Sequence, residues 1–293
     1  MERAVIVGAS GYLGRRLAHH LGDRGVGTYR SNPIEGFLPF DADTETLPAL
    51  LSRAGSGVTH VFVPYGAIDP ERCARDPAGT MQTNVVGAVR LLKDALDAGL
   101  TPVFFSTDYV FDGERGGYAE TDCPHPITSY GAQKLAVEAW LGAVSEPWMI
   151  ARMSKVVGPE TDIHSVLGQW VNDIKAGKPQ RLATDQVLSP AWVDDIARAL
   201  VALADGGQTG LWHVAAPEAF SRHDLFLLLL EEIQKVAPSV QAEVATCSIR
   251  DIPFAEPRPR NTSLNVDKLQ DFLGWRFKPM RELCAELARA HFA

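Results

Sequence analysis

The chain has 293 residues, 46% of them hydrophobic and 22% charged, with a formal net charge of −8. That length accommodates one large α/β domain or two interlocked lobes, and the composition is that of a globular protein. The negative balance argues against nucleic acid as a partner. Cys73, Cys123, Cys247 and Cys284 are widely scattered. They form no Cys-x-x-Cys pair or Cys/His cluster, so no metal site is expected, and thiols used this sparingly fit a reducing cytoplasm. Met1–Gly8 enters a strand too soon for a signal peptide, and the apolar run Leu225–Leu230 is far short of a membrane span. A cytoplasmic protein with no membrane partner is expected.

Short apolar runs alternate with longer helical patterns, which points to a parallel sheet with crossover helices. Strands are expected at Ala4–Val7, Gly27–Tyr29, Val58–Val63, Val103–Ser106, Trp148–Ala151 and Leu211–Val214. Helices are expected at Gly14–Leu21, Thr46–Leu51, Thr80–Ala98, Tyr130–Val144, Ser165–Ala176 and Val193–Leu203. Another starts at Ser221, where Ser-Arg-His-Asp resembles a capping box. After residue 154 prolines interrupt the alternation. Residues 1–154 therefore read as a doubly wound dinucleotide-binding lobe, which residues 185–215 rejoin. Residues 155–293 read mainly as a smaller substrate lobe closing over the carboxyl ends of the strands.

The first strand runs into Gly8-Ala9-Ser10-Gly11-Tyr12-Leu13-Gly14. A sharp strand-to-helix turn and a backbone close to a pyrophosphate both require missing side chains, and the amides of the next helix favour negative charge. The alternative is a tight packing turn with no ligand. The second strand ends in Thr28-Tyr29-Arg30-Ser31, with no acid to take ribose hydroxyls. Arg30, with Arg15 as a second cation, can instead pair with a 2′-phosphate, so NADP(H) is favoured over NAD(H).

Tyr130 and Lys134 lie four apart, hence on one helical face. Bringing a phenol from about 10 toward 7 is worth roughly 4 kcal/mol. The lysine ammonium and a cationic nicotinamide are the expected sources. Phe105-Ser106-Thr107 ends a strand and supplies Thr107 as the hydroxyl that holds the substrate oxygen.

These segments resemble the dTDP-4-dehydrorhamnose reductase family of extended short-chain dehydrogenases/reductases, over nearly the whole length. The resemblance is carried by the glycine loop, Ser-Thr-Asp-Tyr-Val-Phe-Asp-Gly (106–113), Tyr-Gly-Ala-Gln-Lys with Glu138, Asp185-Gln186 with Pro190, and Arg258-Pro259 with Asn261, Ser263 and Leu264. It implies a Rossmann-like α/β fold and a catalytic triad of Thr107, Tyr130 and Lys134, with Lys134 also gripping the nicotinamide ribose. It places Asp108 and Tyr109 in the sugar pocket, Asn84 behind the lysine, Asp41 near the adenine and Arg258 toward a pyrophosphate. Ala67, in a Pro64–Ala67 segment that departs from the family's cofactor loop, and Ser106 are assigned to the cofactor. Lys155 stands where an aromatic platform is usual, and a cation there suits a phosphate or an acidic sugar, or is simply solvated. Tyr109 replaces the glutamate of related dehydratases, which disfavours water elimination.

His125 and His164 are expected in exposed loops. The implied activity is NADPH-dependent reduction of a keto group, at C4, on a nucleotide-linked deoxysugar. A nucleotide-sugar epimerase is an alternative, as is a non-catalytic NADP-binding regulatory subunit resembling the methionine adenosyltransferase beta subunit. A homodimer is possible, and nothing in the sequence requires it.

Overall fold

The computed structural model describes residues 1–145, 147–160 and 165–293. β1 (Arg3–Ile6) leads through the glycine loop into α1 (Tyr12–Leu21), β2 (Gly25–Tyr29) and the short β3 (Leu38–Pro39). Then come α2 (Leu47–Ala54), β4 (Val58–Val63), α3 (Pro70–Arg75), α4 (Pro77–Met81), a π-helical turn (Gln82–Gly87) and α5 (Ala88–Asp97). β5 (Thr101–Thr107), α6 (Ser129–Gly142) and β6 (Met149–Met153) follow. Beyond them lie β7 (Val156–Val157), α7 (Val166–Lys175), β8 (Gln180–Ala183), β9 (Val187–Leu188), β10 (Ala191–Trp192), α8 (Val193–Asp205) and β11 (Gly210–Val214). The chain ends through β12 (Phe220–Ser221), α9 (Arg222–Val236), β13 (Val244–Cys247), α10 (Asp267–Leu273) and α11 (Met280–Phe292).

Seven strands form one sheet in the order β11-β6-β5-β4-β1-β2-β3, and every pairing is parallel. This is the doubly wound α/β fold that the alternating pattern predicts. Side chains alternate between faces along each strand. Ile6, Phe62, Phe105 and Ala151 pack with Leu17 of α1 and Ile196 and Leu200 of α8. Their neighbours Val5, Val61, Phe104 and Ile150 pack on the other side with Leu50, Leu92 and Leu141 of α2, α5 and α6. Because both faces are buried, the strands read as continuous apolar runs. A separate apolar cluster joins α7, α9 and α11 through Trp170, Phe226, Ile233 and Leu283.

The single helix expected over Thr80–Ala98 is interrupted. The π-helical turn inserts one residue between α4 and α5 and carries Asn84 into the interior, where it is fully buried. A periodicity of 3.6 residues does not reveal such an insertion. The start at Ser221 holds, its hydroxyl accepting a hydrogen bond from Asp224 N at 3.0 Å.

One polar contact crosses the core beside β5. Arg152 of β6 meets Glu138 of α6, Nη2 to Oε2 at 2.6 Å, with side chains only 4% and 5% exposed. Ser106 donates its hydroxyl to the same carboxylate. Glu138→Ala would leave a buried guanidinium without its counter-charge. The expected loss is about 3–5 kcal/mol of folding stability, read from urea unfolding, and replacing Glu138 and Arg152 together by methionine should recover much of it.

Candidate active site

At the carboxyl end of β1 the backbone turns through Gly8, whose φ of 76° suits a residue without Cβ. Gly8 N–H donates to Thr28 Oγ1 at 2.9 Å, and that buried hydroxyl donates to Ile6 O at 3.1 Å, which fixes the loop on β2. A Cβ on Gly14 would stand 2.7 Å from Ala9 Cα and 2.9 Å from Gly8 O, so only glycine lets α1 begin against the loop. Gly11 caps α1 and has no side chain with which to make a capping hydrogen bond. Ser10 N–H instead bonds Thr28 O at 3.2 Å. Two neighbouring side chains have other work: Tyr12 donates its hydroxyl to Glu160 at 2.7 Å, and Leu13 leans on the core.

Arg30 lies at the end of β2, 60% exposed, and pairs with Asp43 at 3.0 Å. The other oxygen of Asp43 accepts the Tyr65 hydroxyl at 2.6 Å, and burial and this carboxylate both hold the Tyr65 phenol above its ordinary value. Asp41 turns inward on its own loop, accepting Asp43 N–H at 3.0 Å.

The chemical groups converge at the carboxyl end of β5. Thr128 caps α6 by accepting Gly131 N–H at 3.0 Å. Gly131 lies directly under the Tyr109 carbonyl, where any Cβ would collide with backbone. This close approach brings Tyr130 beside Thr107, near enough for that hydroxyl to act on the phenol. One turn further, Lys134 Nζ donates to Phe105 O at 2.9 Å. Beneath them Asn84 grips Ala67 on both sides, accepting its N–H at 2.6 Å and donating to its carbonyl at 3.0 Å, and donates to Gln133 Oε1 at 2.7 Å. Gly66 occupies the space between Asn84 and Lys134, where a Cβ would lie 2.7 Å from Asn84 Oδ1 and 3.6 Å from Lys134 Nζ.

In the protein alone the Tyr130 phenol is raised, because burial outweighs the neighbouring Thr107 hydroxyl and Asp108 adds to the rise; the Lys134 ammonium is turned to the Phe105 carbonyl. Lys134 is itself pushed down to about 8 by burial. Ser106 does not present its hydroxyl to a cofactor, since Glu138 holds it. Asn84 acts on the Ala67 loop and Gln133 and makes no hydrogen bond to Lys134.

Outside the reacting groups, Tyr109 packs edge-on against Tyr130, ring centres 6.2 Å apart, and burial pushes its phenol up to about 12. Asp108 is buried, accepts hydroxyls from Thr262 at 2.7 Å and Ser154 at 2.9 Å, and is raised by burial. A cavity of about 420 Å³ opens beyond Tyr109, lined among others by Trp170, Gln186, Arg222, Phe254 and Arg258. Arg258 borders that cavity but is tied to Glu71 at 3.0 Å, while its Nη1 is buried with no hydrogen bond. Lys155 is solvent-accessible, yet protein surrounds it closely enough to lower its ammonium. His125 is exposed and 4.0 Å from Asp112, and His164 lies outside the described residues. Arg222 and Gln186 were missed as pocket residues. Arg222 sits in the cap-like run at Ser221, and its charge on the first turn of a helix was the available signal.

A family model described as the RmlD substrate binding domain matches residues 2–291. The chain belongs to this family. It is similar to the probable low-salt glycan biosynthesis reductase Agl14 of Haloferax volcanii, 30% identical over 92% of each chain. It is also similar to the dTDP-4-dehydrorhamnose reductase of Aggregatibacter actinomycetemcomitans, 29% identical over 94% of each. The dTDP-4-dehydrorhamnose reductase of Bacillus anthracis in complex with NADP shares the fold, with a TM-score of 0.80 and 22% identity over 99% of each chain.

The Arg30–Asp43 pair leads to a prediction. An exposed ion pair is worth up to ~1 kcal/mol. Asp43→Asn should free Arg30 and tighten NADPH up to about fivefold without changing NADH affinity, as read by fluorescence titration.

Proposed function

We propose that this family member reduces a keto group, at C4, of a nucleotide-linked sugar of the deoxysugar type, drawing hydride from NADPH. The class is that of an NADP-dependent oxidoreductase. The residues present fit such a cofactor: the glycine loop at the start of α1 suits a pyrophosphate, and Arg30, exposed at the end of β2, suits a 2′-phosphate. When bound, NADPH supplies the hydride.

The chain's own residues handle the proton. Tyr130 gives its phenolic proton to the carbonyl oxygen as that oxygen gains charge, and Thr107 hydrogen-bonds the same oxygen. Lys134 places a positive charge behind the phenol and favours the phenolate that remains. The observation that carries the reading is the meeting of Thr107, Tyr130 and Lys134 at the end of β5, beside the cavity.

Two measurements test this. Tyr130→Phe should lower turnover of a nucleotide-4-keto-6-deoxysugar by about 10²–10⁴-fold while NADPH still binds. Tight NADPH binding without turnover in the wild type would instead favour the regulatory-subunit reading. For pH dependence, the Lys134 cation is present below its value of about 8 and lost above it. kcat/KM should therefore stay level up to pH 8 and fall beyond; a rise through pH 8 would mean that the phenolate is the working form.

A further inference from the structure

The resemblance places Asp108 in the sugar pocket, yet the structure turns its carboxylate inward. Asp108 is 5% exposed, and Tyr109 beside it lines the cavity while Asp108 does not. Hydroxyls of the chain occupy both carboxylate oxygens. Ser154, at the exit of β6, and Thr262, between β13 and α10, donate to Oδ2 at 2.9 and 2.7 Å. Thr107 donates to Oδ1 at 3.2 Å. A carboxylate only accepts, so all three hydroxyls point their protons at it. Two of these bonds are backed by further contacts. Ser154 Oγ accepts Ser189 N–H at 3.1 Å, and Thr262 N–H is paired with Val187 O at 2.9 Å. They pin Asp108 to segments remote in sequence, in a place where burial opposes its charge.

The Thr107 bond is of another kind. It is the longest of the three, and longer than a hydroxyl-to-oxygen bond ordinarily is. Thr107 Oγ1 also accepts Tyr109 N–H at 3.2 Å, which holds the oxygen at the strand's exit independently of Asp108. The hydroxyl proton can therefore swing away from Oδ1 while its oxygen stays in place and Asp108 keeps its other partners. A carbonyl oxygen beside Tyr130 is the natural new acceptor.

We propose that Asp108 is a positioning residue for the reduction: it holds the Thr107 hydroxyl at rest and yields that hydrogen bond to the reacting oxygen. This rests on the reductase reading above. Ser154 and Thr262 keep the carboxylate within reach of Thr107, and Asp108 itself never touches the sugar. Only a hydrogen-bond acceptor is exchanged, and no covalent bond changes at Asp108.

The experiment is single-turnover NADPH oxidation by the intact protein with a nucleotide-4-keto-6-deoxysugar, run as a double-mutant cycle with Thr107→Val. Asp108→Asn keeps the shape but offers one acceptor oxygen in place of two, and should slow the step about tenfold. The KM for the sugar should stay within about twofold. In Thr107→Val the same replacement should change the rate less than about twofold, because the hydroxyl it serves is gone. A merely structural Asp108 would slow both enzymes alike, and that result overturns the proposal. A raised KM with an unchanged rate also overturns it, since Asp108 would then meet the sugar, and so does no effect at all. Thr262→Val removes one tether and leaves the carboxylate in place. It should slow the step several-fold with the same dependence on Thr107, and it carries the test should Asp108→Asn fail to fold. If the wild type oxidises no NADPH with any such sugar, the reductase reading falls and takes this one with it.

Discussion

Helix α6 reaches the end of β5 only because residue 131 has no side chain. The Tyr109 carbonyl fills the space a Cβ would need, so the first turn of the helix rests directly on the strand's exit. The Thr128 cap fixes where the helix begins, and Glu256 reinforces it by accepting both Ser129 N–H at 3.0 Å and Ser129 Oγ at 2.9 Å. Tyr130, the next residue after Ser129, inherits its position from these backbone contacts. A rigid helix start is a better support for a proton donor than a loop, because a small displacement of a reacting group is costly in rate.

From that anchor, a polar stripe runs along one face of α6. Tyr130, Lys134 and Glu138 are four residues apart and stack one turn above another. Each meets a group at the end of β5: Tyr130 stands beside the Thr107 hydroxyl, Lys134 donates to the Phe105 carbonyl and Glu138 accepts the Ser106 hydroxyl. Three successive residues of one strand thus meet three successive turns of one helix. A helix packed by apolar contacts alone would tolerate rotation about its axis. The hydrogen bonds of Lys134 and Glu138 do not, because rotating either away would strand a buried polar group.

Much of this was legible in the sequence. The strand Val58–Val63 has both faces buried, so its apolar run marks the observed element end to end. The Tyr130–Lys134 spacing and the glycine loop are local patterns whose meaning depends on helix and turn geometry alone. What escaped was nonlocal. The π-helical turn at Gln82–Gly87 exists because Asn84 must reach Ala67 and Gln133, partners remote in sequence. The phenol's acidity depends on how much water the fold excludes, and no spacing rule reports that. Arg222 looked like part of a helix cap, and only the cavity shows its guanidinium on a cleft wall.

The ion pair behind the stripe bears on the state of the lysine. Glu138 is four residues after Lys134, a separation at which a carboxylate and an ammonium on one helix commonly pair. Such a pair would hold Nζ away from the strand end. Instead Arg152 occupies Glu138 through Nε at 3.0 Å and Nη2 at 2.6 Å, and Ser106 completes it. The carboxylate still favours the Lys134 cation through space, but the hydrogen-bonding proton of Nζ goes to Phe105 O, with the Phe104 ring 4.8 Å away. Arg152 thereby separates charge support from tethering. The buried ammonium keeps part of the benefit of a nearby anion and remains at the carboxyl end of β5, beside Gly66 and one turn from the phenol, where its charge can act on the reaction.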